Sequence, residues 1–257
     1  MEGKGRITGH TGLLALLGSP VGHSGSPAMY NYSFEKLGLD YAYVAFDIKV
    51  EEVKAALDAM RLFHMRGCNV TMPCKTEAAK YMDELSPAAR IIGAVNTIVN
   101  EDGKLIGHMT DGEGFVGNLR DHGIEIKGKK ITVAGGGGAA TAIQVQCALD
   151  GAREISIFNI KDDFFERTLE TAEKIRKEVP GIVVNVYDIA DTAKMTEEIQ
   201  SSDIFANATI VGMKPMDDQS VVKDLSAFRP GLVVCDAVYN PEETRLLKEA
   251  KESGCTC

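Results

Sequence analysis

Apolar and polar positions along this chain switch repeatedly between a period of two and a period near 3.6. Residues 13–17 form a short apolar run and predict a strand. Residues 27–37 read as a helix that stops at Gly38. Residues 41–48 are β-branched and aromatic, hence a strand. Residues 50–62 place Val53, Ala56, Leu57 and Met60 on one helical face. Residues 68–71 predict a strand running into a helix, with Pro73 in its first turn and TEAAKYMDEL as its body. Residues 95–99 and 104–107 flank Glu101-Asp102-Gly103, a hairpin turn.

A second series follows. Residues 111–120 predict a helix stopped by Gly123, and 130–134 a strand. Gly135 to Gly138 are consecutive glycines, followed by a helix over 139–149 and a strand over 154–158. A long helix over 162–178, strands over 183–187, 204–208 and 232–235, and a helix over 241–251 stopped by Gly254 complete the pattern. Such alternation predicts the α/β class, with mostly parallel sheets covered by helices on both faces. The second half reads as a Rossmann-like doubly wound domain, with the boundary near residues 107–111.

Composition narrows the function classes. At 257 residues the chain is one large domain or two ordinary ones. A net charge of −9 with no basic block argues against a nucleic-acid partner. The apolar run at 13–17 is far short of the ~20 residues of a membrane span. It is also shorter than a secretory core of ~7–15 residues, although Lys4 and Arg6 precede it. Six cysteines are scattered without a C-x-x-C pair, so no metal site is expected and reduced thiols in a cytoplasm are. Cys255 and Cys257 close the sequence and read as thiols on a frayed end rather than a metal site.

Three constellations carry candidate chemistry. Gly135-x-Gly137-x-x-Ala140, between a strand and a helix, is a dinucleotide fingerprint in its strand–turn–helix context. The plainer reading is a glycine turn needed only for tight packing. Where the second strand of this series ends, Ile157 to Asp162 holds no arginine to receive a 2′-phosphate. Asp163 with Glu166 makes a capping box, which leaves Asp162 to read the ribose 2′-hydroxyl and favours NAD. Lys161 keeps NADP open, and Asp162 as a helix cap is the alternative.

Ser24 and Ser26 precede Pro27 at a helix start, where two hydroxyls at a positive helix terminus suit a carboxylate. Ser26 serving only as the cap is the plainer reading. Lys75 stands in the first turn of a helix, where the dipole disfavours an ammonium and moves the group toward proton transfer. Asp111 at a helix start and Asn96 at a strand start are its candidate partners. Singly, these read as an exposed lysine, a capping aspartate and a turn asparagine, and spacing alone does not bring them together.

The motifs H-S-G-S-P, N-V-T-M-P-C-K, I-G-A-V-N-T, T-D-G-E-G-F, the glycine loop with A-A-T-A, N-A-T-I-V-G-M and V-Y-N-P occur in that order over nearly the whole chain. The sequence resembles the shikimate dehydrogenase family, and F-N-I-K-D-D-F-F resembles its quinate/shikimate dehydrogenase branch. The resemblance implies an N-terminal α/β substrate-binding domain, 1–110, with 241–257 packing back on it. It implies an NAD(P)-binding Rossmann domain over 111–240, with catalysis in the cleft between them. It implies reversible oxidation of shikimate to 3-dehydroshikimate, or of quinate to 3-dehydroquinate. Lys75 and Asp111 match the catalytic pair. Ser24, Ser26, Thr71 and Asn96 match substrate-binding positions, and Tyr239 lies at the substrate edge. Gly135, Gly137, Gly138, Ala139, Asn159, Asp162, Thr209 and Met213 match the cofactor-binding stretches. The cofactor implied is NAD, with NADP possible, the partner a small molecule, and a homodimer plausible.

Three departures stand out. Gly25 replaces a leucine, which removes an apolar anchor, and Met109 stands where family members often carry asparagine. Family members also continue past the equivalent of Cys257 with a helix bearing a substrate-binding glutamine. Loss of such a contact costs on the order of 10²-fold in rate. The rival readings are a nicotinamide-binding sensor without turnover and a dehydrogenase of folate one-carbon units. Lys75, Asn96 and Asp111 together argue against the first, and the paired serines against the second.

Overall fold

The computed structural model describes residues 7–162 and 165–257. Lys4, Arg6 and Asp163, which entered the sequence reading, lie outside the described residues. Residue contacts divide the chain into two units, ending at Thr110 and beginning at Asp111.

The first unit runs β1 (Gly12–Gly18), α1 (Ser26–Leu37), β2 (Tyr41–Asp47), α2 (Val53–Leu62), β3 (Gly67–Val70), α3 (Lys75–Ala79), β4 (Glu84–Leu85), α4 (Pro87–Ile92), β5 (Thr97–Glu101) and β6 (Lys104–His108). Its sheet order is β2-β1-β3-β5-β6-β4. β1 pairs in parallel with β2 and β3, whereas β5 is antiparallel to β3 and β6, so the sheet is mixed. The reversal is local chemistry: Asp102 and Gly103 take φ of 52° and 96°, the left-handed pair of a two-residue hairpin turn. Leu16, Val21, Phe34 and Tyr43 form a buried cluster, with Tyr30 stacked on Tyr43 at 4.5 Å.

Two expectations here need correction. Pro73 is not a helical residue: α3 starts at Lys75, with Cys74 at its N-cap. Nor does TEAAKYMDEL continue as a helix beyond Ala79. Asp83 N donates to Leu105 O at 2.9 Å and Ser86 N to Gly107 O at 2.9 Å, so pairing with β6 overrides helix propensity. α4 then starts from Ser86, whose hydroxyl accepts from Ala89 N.

The second unit runs α5 (Asp111–Asp121), β7 (Lys130–Ala134), α6 (Gly138–Leu149), β8 (Glu154–Asn159), α7 (Phe165–Glu178), β9 (Val183–Asp188), α8 (Thr192–Gln200), β10 (Ile204–Asn207), β11 (Val233–Asp236) and α9 (Arg245–Glu252). The five strands are parallel in the order β11-β10-β7-β8-β9, the Rossmann-like arrangement. α8 was not foreseen. Asp191 caps it by accepting from Lys194 N, and Met195 and Ile199 bury one face.

α9 begins at Arg245 rather than at 241, because Thr244 is its N-cap. Residues 241–257 fall within the second unit. Leu246 and Ala250 join Phe228 and Val234 in its core, and Val234 N donates to Thr256 O at 2.8 Å. The apolar face of the short helix finds its partner in its own unit.

Beneath the amino ends of β7 and β8 lies a buried ion cluster. Lys130 Nζ sits 2.7 Å from Glu198 Oε2 and 3.1 Å from Glu154 Oε1. Glu198 also takes Lys194 at 2.8 Å and the Ser156 hydroxyl at 2.7 Å. Burial alone would raise the Glu198 pKa, but Lys130, Lys194 and Ser156 outweigh it and hold it at about 2. A depressed carboxylate stabilises the fold above its unfolded pKa, near ~4.3, and that contribution disappears as pH falls toward the folded value. Glu198→Ala is expected to cost up to about 3 kcal/mol at neutral pH, because the buried Lys130 loses its nearer carboxylate and keeps only Glu154 as an ionic partner. In urea unfolding, the gap to wild type is expected to shrink between about pH 5 and pH 3.

Candidate active site

In the first unit the expected substrate residues gather at one end of the sheet. β1 and β3 end there, and antiparallel β5 begins there. Gly18 permits the approach: a Cβ on it would meet Thr71 Cγ2 at 2.4 Å and Met72 O at 2.9 Å. Ser19 N then donates to Met72 O at 3.1 Å and Thr71 N to Leu17 O at 2.8 Å. The loop leaving β1 carries Ser24 and leads into α1. Ser26 is not the cap: Gly25 occupies that position without a side-chain bond, and Ser26 is the first helical residue. Ser24 Oγ accepts from Ser26 N at 3.2 Å instead. A Cβ on Gly25 would meet nothing within 4 Å, so packing does not require glycine in place of the family's leucine.

Lys75 is half-buried, and its carbonyl accepts from Val95 N at 3.0 Å, tying α3 to the segment before β5. Cys74 beside it is buried, and its thiol faces Ile48 O at 3.6 Å. Burial, with Glu51 and Glu52, raises the pKa of that thiol. It is an anchor rather than a nucleophile. Asn96 accepts through Oδ1 from Thr110 N at 3.0 Å and from the Thr110 hydroxyl at 3.2 Å. Its carbonyl takes Val70 N at 2.8 Å. Asn69, which the sequence reading missed, donates to Thr97 Oγ1 at 3.1 Å and accepts from the Tyr43 hydroxyl at 2.8 Å. Thr71, Lys75 and Asn96 therefore stand on backbone locked by sheet hydrogen bonds.

In the second unit the glycine loop joins β7 to α6. Gly135 has φ of 119°, and a Cβ there would meet Ala208 O at 2.7 Å. A Cβ on Gly136 would meet Asn159 Nδ2 at 2.4 Å. Close packing thus requires glycine at both positions. Gly137 and Gly138 differ: nothing lies within 4 Å of a Cβ on either, and with Ala139 they are exposed. The first turn of α6 carries no acidic side chain. An exposed helix start with open backbone fits a dinucleotide pyrophosphate.

Asn159 ends β8 and donates to Thr168 Oγ1 at 3.0 Å, while Asp162 is exposed just beyond it. Thr209 follows β10; its N and hydroxyl both donate to Asn207 Oδ1, at 3.1 and 2.7 Å. Met213 and Tyr239 stand on loops of this unit, 42% and 89% exposed, and Asp111 is the exposed first residue of α5. Asn207 and Asp236, which hold these loops, were not singled out; their only signals were the N-A-T-I-V-G-M motif and a carboxylate just before V-Y-N-P.

Among the described residues no group of His, Cys, Asp and Glu is placed to hold a metal, and no helix is long and apolar enough to cross a membrane.

Residues 16–98 match the family model of the shikimate dehydrogenase substrate binding domain. The chain is 50% identical over 250 residues to the shikimate dehydrogenase (NADP(+)) of Listeria monocytogenes, covering 97% of this chain and 86% of that protein. A solved shikimate 5-dehydrogenase from Listeria monocytogenes, in complex with shikimate and NAD, superposes with a TM-score of 0.94 at 50% identity, covering 98% of this chain and 86% of that one. Quinate dehydrogenase from Corynebacterium glutamicum, in complex with NAD, superposes with a TM-score of 0.82 at 28% identity, covering 95% of this chain and 86% of that one. The chain belongs to the shikimate dehydrogenase family.

Proposed function

We propose that this enzyme interconverts shikimate and 3-dehydroshikimate using a nicotinamide dinucleotide. The supporting observation is the gathering of Ser24, Ser26, Thr71, Lys75 and Asn96 at one end of the first sheet, in a chain half identical to a protein solved with shikimate and NAD. The bound nicotinamide supplies hydride acceptance or donation. The serine hydroxyls hold the substrate carboxylate, and Thr71 and Asn96 orient the ring hydroxyls. Lys75 and Asp111 carry the proton: as the substrate carbon loses hydride, the proton of its hydroxyl passes to Lys75. Gly137, Gly138 and Ala139 receive the pyrophosphate.

NAD is the preferred cofactor in this reading, because Asp162 rather than an arginine stands beyond β8. The Listeria relative named for NADP(+) and the Listeria structure solved with NAD are both 50% identical to this chain, so both cofactors belong in the assay. Quinate is the second substrate to test, given the likeness to a quinate dehydrogenase.

Formation of reduced nicotinamide from shikimate and from quinate, each with NAD and with NADP, is the direct test; no turnover in any combination would sink the proposal. Lys75→Ala is expected to lower kcat by at least ~10²-fold with NAD affinity unchanged, the scale of general acid–base catalysis. Undiminished turnover would remove Lys75 from the mechanism. Asp162→Ala is expected to weaken NAD more than NADP, and an equal effect would leave Asp162 a structural residue.

A further inference from the structure

The carboxylate of Asp236, at the end of β11, is where three segments of the second unit meet. Its Oδ1 accepts from Asn207 Nδ2 at 2.9 Å and from Val238 N at 2.9 Å. Its Oδ2 accepts from the Thr244 hydroxyl at 2.7 Å. Asn207 and Thr244 are 1% and 0% exposed. Each partner controls something different. Asn207 passes the order on: its Oδ1 takes the N and hydroxyl of Thr209, and its Nδ2 also donates to Val211 O at 3.0 Å. Thr244 caps α9 and packs under the same loop, since a Cβ on Gly212 would sit 3.3 Å from Thr244 Cγ2. Val238 precedes Tyr239 directly.

We propose that Asp236 is a positioning residue that sets two ligand loops at once, Thr209 to Met213 and Val238 to Tyr239. The inference rests on the reading of these loops as nicotinamide-facing and substrate-facing. The chemistry requires a carboxylate. Three donors arrive from three directions, and only an acceptor with two oxygens receives them all. Burial raises the Asp236 pKa, and the bonds from Thr244, Val238 and Asn207 oppose that rise. An apolar replacement therefore leaves Asn207 Nδ2, Val238 N and the Thr244 hydroxyl without this acceptor. Asparagine keeps one acceptor oxygen but turns an amide toward Thr244, whose hydroxyl already accepts from Leu247 N at 3.4 Å.

The test measures NADH dissociation constants by calorimetry and steady-state shikimate kinetics on wild type, Asp236→Ala, Asp236→Asn and Thr244→Val, each confirmed folded by circular dichroism. Asp236→Ala is expected to raise the NADH dissociation constant and the shikimate KM together, each by roughly tenfold or more, the scale of one lost charge-assisted hydrogen bond. Asp236→Asn and Thr244→Val are expected to move both in the same direction by less. A lower urea midpoint with unchanged NADH affinity and KM in the folded variants would overturn the proposal and leave Asp236 a purely structural residue. If Asp236→Ala does not fold, Asp236→Asn decides by the same two quantities. Absence of shikimate turnover in wild type would count against the substrate reading, while the NADH constants would still decide whether Asp236 sets the nicotinamide loop.

Discussion

Both units depend on one steric constraint: the chain must lack a side chain where it leaves the first strand of each sheet, at Gly18 and at Gly135. In the first unit Gly18 lets the end of β1 lie against Thr71 and Met72. In the second, Gly135 lets the end of β7 lie against Ala208, which follows β10. In each case a backbone oxygen occupies the space a Cβ would need, at 2.9 and 2.7 Å. Parallel strands present their carboxyl ends on one side, and ligands of open α/β sheets bind beyond those ends. The two glycines draw neighbouring strand ends together there, so residues far apart in sequence share one edge.

Rigidity is distributed to match. The amino end of the nucleotide sheet is closed by the charges of Lys130, Glu198 and Glu154, which stand only because each has a buried partner, with the Ser156 hydroxyl donating to Glu198. The carboxyl end is left open at Gly137 and Gly138. Within each unit, loops at the carboxyl ends of the strands are ordered by side-chain-to-backbone bonds, from Asn96 in the first and Asn207 in the second. An asparagine amide both donates and accepts, so it can pin a loop that has no ladder of its own. The candidate site residues thus stand on loops and helix starts whose backbone is held by asparagine side chains and sheet hydrogen bonds.

Much of this was legible from the residues alone. Strong periodicity placed β7, whose bounds match at both ends, and the helical face of Val53, Leu57 and Met60, all of which are buried. The hairpin was readable because Asp102-Gly103 is a local turn signal. The order of motifs pointed to the family over almost the full chain. What sequence could not supply was set by non-local partners. Pairing with β6 ended α3 early, the Asp236 contact fixed Thr244 as the start of α9, and Ser24 rather than Gly25 or Ser26 satisfied the first turn of α1.

The same division explains the site. Residue types and spacing alone picked out a glycine loop between a strand and a helix, a paired-serine helix start and a lysine in the first turn of a helix, because those are properties of contiguous segments. Tertiary structure alone decided which glycines are packing glycines and which face open space, and that residues 241–257 complete the second unit's core. It also decided that Asn69, Asn207 and Asp236 hold the loops. Their role depends on where distant donors and acceptors converge, and no local pattern in the sequence encodes that convergence.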